Sequence, residues 1–122
     1  MRILVTGSRN FADTKLMREV LSSIQNSNVM LIHGGCRGAD KIAEEIGEEL
    51  GFQIEEHLAE WNKYGKSAGP IRNAEMLNSR IDLVLAFPVE KSKGTKDCIS
   101  KALQKNIPVL RIERENRGKE KC

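Results

Sequence analysis

Four runs dominated by Ile, Leu and Val punctuate the chain, at residues 3–6, 29–33, 81–87 and 108–112. They are nearly continuous rather than alternating, and this predicts strands buried on both faces. A fifth run, at residues 52–58, alternates Phe52, Ile54 and Glu56 and suits a half-exposed edge strand. Between the runs the apolar period lengthens to that of a helix. Leu16, Val20, Leu21 and Ile24 share one face behind Asp13, a candidate N-cap. Residues 39–50 set Ile42, Ala43, Ile46 and Leu50 on one side, with Gly51 as the stop. Residues 70–79 begin at Pro70, which suits a first helical turn. Residues 95–105 turn Ile99, Ala102 and Leu103 inward before Asn106 and Pro108 end the helix. Strands and helices that alternate in this way predict an α/β protein. The expected fold is a Rossmann-like doubly wound parallel sheet of about five strands, with helices on both faces. Residues 1–112 form a single domain in this reading, and residues 113–122, which lack apolar periodicity, form a polar tail.

Composition narrows the function without choosing it. With 39% hydrophobic and 30% charged residues in 122, the chain has the make-up of one ordered globular domain. Aromatic residues are 4%, with one Trp and one Tyr, so there is no row of rings for base stacking. A net charge of +3 invites an anionic ligand but falls short of a dense cationic stripe, which argues against nucleic acid as the partner. Cys36, Cys98 and Cys122 show no CxxC spacing and suggest neither a disulfide framework nor a zinc site. No metal is expected, and a reducing cytoplasm fits best. No stretch approaches the roughly 20 apolar residues of a membrane span.

In an open α/β sheet, ligands gather at the carboxyl ends of the strands, and the glycines lie there. The first strand ends in Thr6-Gly7-Ser8-Arg9, and the second in His33-Gly34-Gly35-Cys36-Arg37-Gly38-Ala39-Asp40. The strand at 81–87 leads to Lys91-Ser92-Lys93-Gly94-Thr95. Glycine lets backbone N–H groups approach a phosphate, and the following helix N-terminus adds partial positive charge. Each loop taken alone is equally well a plain strand-to-helix turn. Three such loops with cations on one edge favour a phosphate site, with Thr95 as cap of the last helix. Neither GxxxxGK[ST] nor GxGxxG is present, so no P-loop or dinucleotide fingerprint is claimed.

Residues 60–73 read as a long loop into the third helix, gathering Trp61 and Tyr64 with cations and amides. Trp61 is a candidate to cover a base or ribose. Arg72 and Asn73, expected in the first helical turn, are candidates for a phosphate or sugar. Other polar residues have plainer readings. His33 suits a hydrogen-bonded structural role, and Asp40 a first-turn carboxylate that serves N–H groups or ligand. The set Glu44, Glu45, Glu48 and Glu49 suits a solvated helix face.

The segments HGGCRGAD, AEWNKYGKSAGPIRNAEML and LVLAFP, with the later Gly94-Thr95, resemble the SLOG superfamily, in particular its short YspA-like branch. That superfamily joins DNA-processing Smf proteins to Lonely Guy phosphoribohydrolases. The resemblance spans residues 3–112 and implies a Rossmann-like fold, a nucleotide-related ligand and pairing into a homo-oligomer. Lonely Guy enzymes combine RKAxM with PGGxGTxxE. Here the first is Arg72-Asn73-Ala74-Glu75-Met76, while the second lacks its double glycine and has Cys98 where the motif has its catalytic Glu. A neutral thiol cannot stabilise an oxocarbenium-like transition state as a carboxylate does, and Asp97 is turned about 100° around the helix. The leading reading is therefore a module, free of cofactor, that senses, sequesters or carries a nucleotide or nucleotide-derived phosphate ligand. The expected ligand residues are Gly7, Ser8, Arg9, Gly34, Gly35, Arg37, Gly38, Asp40, Trp61, Arg72, Asn73, Gly94 and Thr95. Two alternatives stand beside it: a phosphoribohydrolase cleaving nucleoside monophosphates, with Arg72 catalytic, and a DNA-binding protein of Smf type.

Overall fold

The computed structural model describes residues 1–25, 28–89 and 92–113, so the expected tail lies outside the described residues apart from Glu113. The apolar runs become five strands: β1 (Arg2–Gly7), β2 (Met30–His33), β3 (Gln53–Glu56), β4 (Leu83–Phe87) and β5 (Val109–Arg111). All neighbouring strands run parallel, in the order β3-β2-β1-β4-β5. The doubly wound sheet is thus present as expected. Its order reverses between β1 and β4, the switch point at which the loops after two adjacent strands part and leave a crevice.

Alternation of side chains along β1 divides the core. Ile3 and Val5 point into one cluster with Leu31, Leu85 and Phe87, covered by α1 (Thr14–Ser22) and α2 (Ala39–Glu49) through Met17, Leu21, Ala43 and Ile46. Leu4 points the other way, with Ile32 and Val84, to meet Met76 and Leu77 of α4 (Ala68–Asn78) and Cys98 and Ala102 of α5 (Lys93–Gln104). Asp13 caps α1 as expected, its carboxylate accepting from Leu16 N–H at 3.0 Å. After α5, Asn106 adopts φ 60°, the left-handed conformation that stops a helix and that Asn tolerates.

Several expectations need correction. The strand at 108–112 is not buried on both faces: β5 is an outer strand of the described sheet, with Leu110 exposed. In α5 the inward residues are Thr95, Cys98 and Ala102, and Leu103 faces solvent. The true stripe runs one step off the one the aliphatic side chains suggest. The stretch before Arg72 is not an open loop. A helical turn α3 (Trp61–Tyr64) and a 3-10 turn (Gly65–Ser67) run straight into α4. Arg72 and Asn73 consequently sit in the second turn of α4, inside the protein, rather than in an exposed first turn.

Candidate functional site

The crevice at the switch point opens into a cleft of about 500 Å³. Its walls come from the loop after β1, the β2–α2 loop, the start of α4 and the first turns of α5. Ten of the expected residues line it: Gly7, Ser8, Arg9, Arg37, Asp40, Trp61, Arg72, Asn73, Gly94 and Thr95. Gly34, Gly35 and Gly38 do not, and each instead lets chain segments pass closely. A Cβ on Gly34 would run into the Arg72 guanidinium, 2.6 Å from its central carbon, and one on Gly35 would strike Leu58. Gly38 has φ +81° and ψ −128°, where only glycine is comfortable, and it packs its bare Cα against the backbone carbonyls of Ser8 and Arg9. These glycines shape the site from behind.

Arg72 forms the floor. Its side chain is buried, although it carries a permanent charge. Nε donates to Asn73 Oδ1 at 2.9 Å, one terminal nitrogen donates to the Gly34 carbonyl, and the other lies 3.8 Å from Cys36 Sγ. None of the three partners is a carboxylate, and Arg72 forms no ion pair among the described residues. A buried charge ordinarily requires an opposite one. Around the rim, Arg9, Arg37, Lys66 and Lys93 add further positive charge.

Two carboxylates also line the cleft, with different duties. Asp40, in the first turn of α2, accepts from Gly34 N–H at 2.9 Å and Cys36 N–H at 3.4 Å and so ties down the preceding loop. Burial raises its pKa, against the pull of His33, those two N–H groups and Arg72. Asp97 is half-buried, and its Oδ2 accepts from Asn73 Nδ2 at 3.0 Å while its Oδ1 accepts from Lys101 Nζ at 2.5 Å. Position 98 lies behind the cleft wall, where its thiol is hydrogen-bonded to Thr6. Cys98 is fully buried among Leu4, Ile32 and Met76, and this burial pushes its thiol up to about 12. Any long carboxylate placed at 98 would begin its course from the core, whereas the acid that meets the cleft belongs to the neighbouring residue. Thr95 does not cap α5 either. Ser92 is the N-cap, and its hydroxyl accepts from both Thr95 N–H at 3.4 Å and Thr95 Oγ1 at 3.1 Å.

His33 has the structural role expected of it, with a partner that the sequence concealed. Gly35 N–H donates to Nδ1 at 3.0 Å, so Nε2 carries the hydrogen and donates to Glu44 at 2.8 Å. Glu44 therefore leaves the solvated set to which its neighbours Glu45, Glu48 and Glu49 belong. Ligand atoms of His33, Glu44 and Glu56 lie within 4.8 Å of one another. A metal there would need the Nε2 lone pair, which this tautomer does not offer, and Lys41 already neutralises Glu56 at 2.8 Å. A separate polar chain on the other side of the sheet edge joins Arg2, Glu55, His57 and Glu75. None of the described helices is long and apolar enough to cross a membrane.

A five-stranded parallel sheet in this order, with its cleft at the reversal of strand order, defines a Rossmann-like α/β protein. Residues 1–64 match the model of the YspA, cpYpsA-related SLOG family. A curated relative, the Gene 61 protein of Mycobacterium phage D29, is 38% identical over 117 residues, covering 89% of this chain and 94% of that protein. The chain belongs to the YspA, cpYpsA-related SLOG family. Among solved structures, TM1055 superposes with a TM-score of 0.70 at 17% identity, over 88% of this chain and 71% of that one. DNA processing protein A (DprA) from Streptococcus pneumoniae gives 0.59 at 15% identity, over 89% of this chain but only 58% of its own length. At such identities the likeness concerns the fold.

Proposed function

We propose that the cleft binds a nucleotide or nucleotide-derived phosphate ligand, and that the protein senses, sequesters or carries that ligand rather than transforming it. The observation that carries this reading is Arg72, a buried guanidinium on the cleft floor whose hydrogen-bond partners include no carboxylate. An incoming phosphate pairs directly with a guanidinium that interacts with Asp40 only without a hydrogen bond, and accepts from the donors not already engaged. The N-terminal turn of α5, capped by Ser92 and open above Gly94, and the rim cations Arg9, Arg37 and Lys93 favour the same class of ligand. Trp61, at the mouth and about half exposed, offers a ring to a base.

A binding role is favoured over glycosidic hydrolysis because position 98, where the hydrolase motif has its acid, lies in the core. Calorimetric titration with nucleoside 5′-monophosphates, cyclic nucleotides, ADP-ribose and inorganic phosphate tests the reading. Saturable binding that weakens with added salt, without release of free base, is the expected result. No heat from any of these ligands refutes binding, and base release refutes the purely binding role.

A further inference from the structure

Of the two carboxylates on the cleft wall, that of Asp40 is engaged by the N–H groups of the β2–α2 loop, whereas that of Asp97 serves neither this loop nor phosphate recognition. An anion beside a phosphate repels it, so a second carboxylate kept there points to a further role. Asp97 is held firmly all the same. Asn73 bonds one of its oxygens and Lys101 the other, and each carboxylate oxygen keeps a lone pair for a donor arriving from the cleft. The same Asn73 amide accepts from Arg72 through its oxygen. Arg72 and Asp97 thus stand at the two ends of a single amide, an anion receptor and a hydroxyl receptor fixed one side chain apart. Asp97 also lies one helical turn below Gly94, about 4.5 Å along the axis of α5, on the wall of the same cleft.

A ligand satisfying both ends carries a phosphate and, a few ångströms away, hydroxyl donors. We infer that Asp97 accepts hydrogen bonds from the sugar hydroxyls of the ligand, and that this chain therefore selects ribonucleotides over 2′-deoxyribonucleotides. The inference rests on the nucleotide reading and adds the sugar class. A carboxylate left facing a C–H in place of an O–H loses that hydrogen bond while the bound ligand shields it from water, and a site built to bond a hydroxyl rejects the analogue that lacks it.

The experiment compares AMP with 2′-deoxy-AMP on the full chain, for wild type and Asp97→Asn, by calorimetry. Wild type is expected to bind AMP at least tenfold more tightly. In Asp97→Asn, which keeps the shape but loses the charge and part of the accepting capacity, the ratio should shrink toward one, chiefly through weaker AMP binding. Equal affinities in wild type overturn the inference while leaving the nucleotide reading standing, and that comparison needs no variant. A variant that loses affinity for both nucleotides by the same factor, with the ratio kept, also overturns it, because Asp97 would then be a support for Asn73 alone. Binding of neither nucleotide to wild type overturns this inference together with the proposed function.

Discussion

Replacing Arg72 with Met asks whether the guanidinium exists for the fold or for the ligand. Met roughly preserves the length and apolar stem of the side chain and removes its charge. In the ligand-free protein two effects oppose one another. Burying an ion costs several kcal/mol even after relaxation. The hydrogen bonds from Arg72 to Asn73 Oδ1 and the Gly34 carbonyl return about 1.5–3 kcal/mol each, as bonds from a charged donor do. Asn73 borders a cleft that admits water, so the loss at its Oδ1 is partly made good, whereas the Gly34 carbonyl lies behind the cleft wall. The net change in unfolding free energy should stay within about 2 kcal/mol, whereas breaking a buried ion pair costs about 3–5 kcal/mol. Ligand binding has no such compensation. Losing a desolvated partner for phosphate should cost about 2–5 kcal/mol, or roughly 30- to 5,000-fold in affinity. Urea unfolding with and without nucleotide reads both quantities. At a ligand concentration 100 times the wild-type dissociation constant, wild type should gain about 2.7 kcal/mol, and the variant about 0.9 kcal/mol or less. A variant that loses more than about 3 kcal/mol without ligand, yet responds to nucleotide as wild type does, refutes the reasoning.

Gly38→Ala should destabilise by about 3 kcal/mol or more, combining the strain of its positive φ with a collision 2.6 Å from the Arg9 carbonyl oxygen. Gly51→Ala, at φ +84° with open space around it, should lose only about 1 kcal/mol; equal losses in thermal unfolding would show that the contact between the two loops is unimportant. Burial lowers the pKa of His57, but the bonds to Glu55 and Glu75 together raise it above its ordinary value. Its contribution is therefore complete below the unfolded-state value of about 6.5 and fades as pH rises through the higher folded value. Urea midpoints of wild type should fall relative to His57→Gln between pH 6 and pH 8, and parallel profiles would count against the pair of contacts. Gly94→Val should weaken nucleotide binding about tenfold, or about 1.4 kcal/mol, with the ligand-free melting temperature nearly unchanged, since a Cβ there meets nothing within 4 Å. Unaltered affinity would make that turn a mere connection.

The framework was legible because period and position are written into the residues themselves. Near-continuous Ile, Leu and Val marked the central strands, and the loops with glycine after them marked the edge where the cleft opens. What the sequence hid was direction. Cys98 and Asp97 are neighbours in the chain, and only the packing of α5 on β1 and β4 decides which enters the core. The aliphatic Leu103 suggested a stripe one position from the true one, whose members Thr95, Cys98 and Ala102 are small. Glu44 could not be told from Glu45 without knowing that His33 lies beneath it. Gly34, Gly35 and Gly38 looked like phosphate contacts because a bare Cα serves a ligand and a passing side chain equally well. Residues 60–67 read as loop because Gly65 and Gly69 interrupt any helical period, yet short turns joined end to end need no long period.

The division of the core by β1 also bears on how such a chain changes over generations. Apart from Val5 and Met76, the residues lining the cleft belong to neither apolar cluster. A substitution at Arg9, Arg37, Lys66 or Lys93 therefore changes the charge of the cleft rim without loosening what holds the sheet together, and drift at the rim meets little resistance from selection for folding. Arg72 and Asn73 are the exception, since they join the loop after β2 to α4 and α5. Descendants of one ancestor could thus diverge in ligand by exchanging rim residues singly, whereas abandoning the floor would require several coordinated replacements.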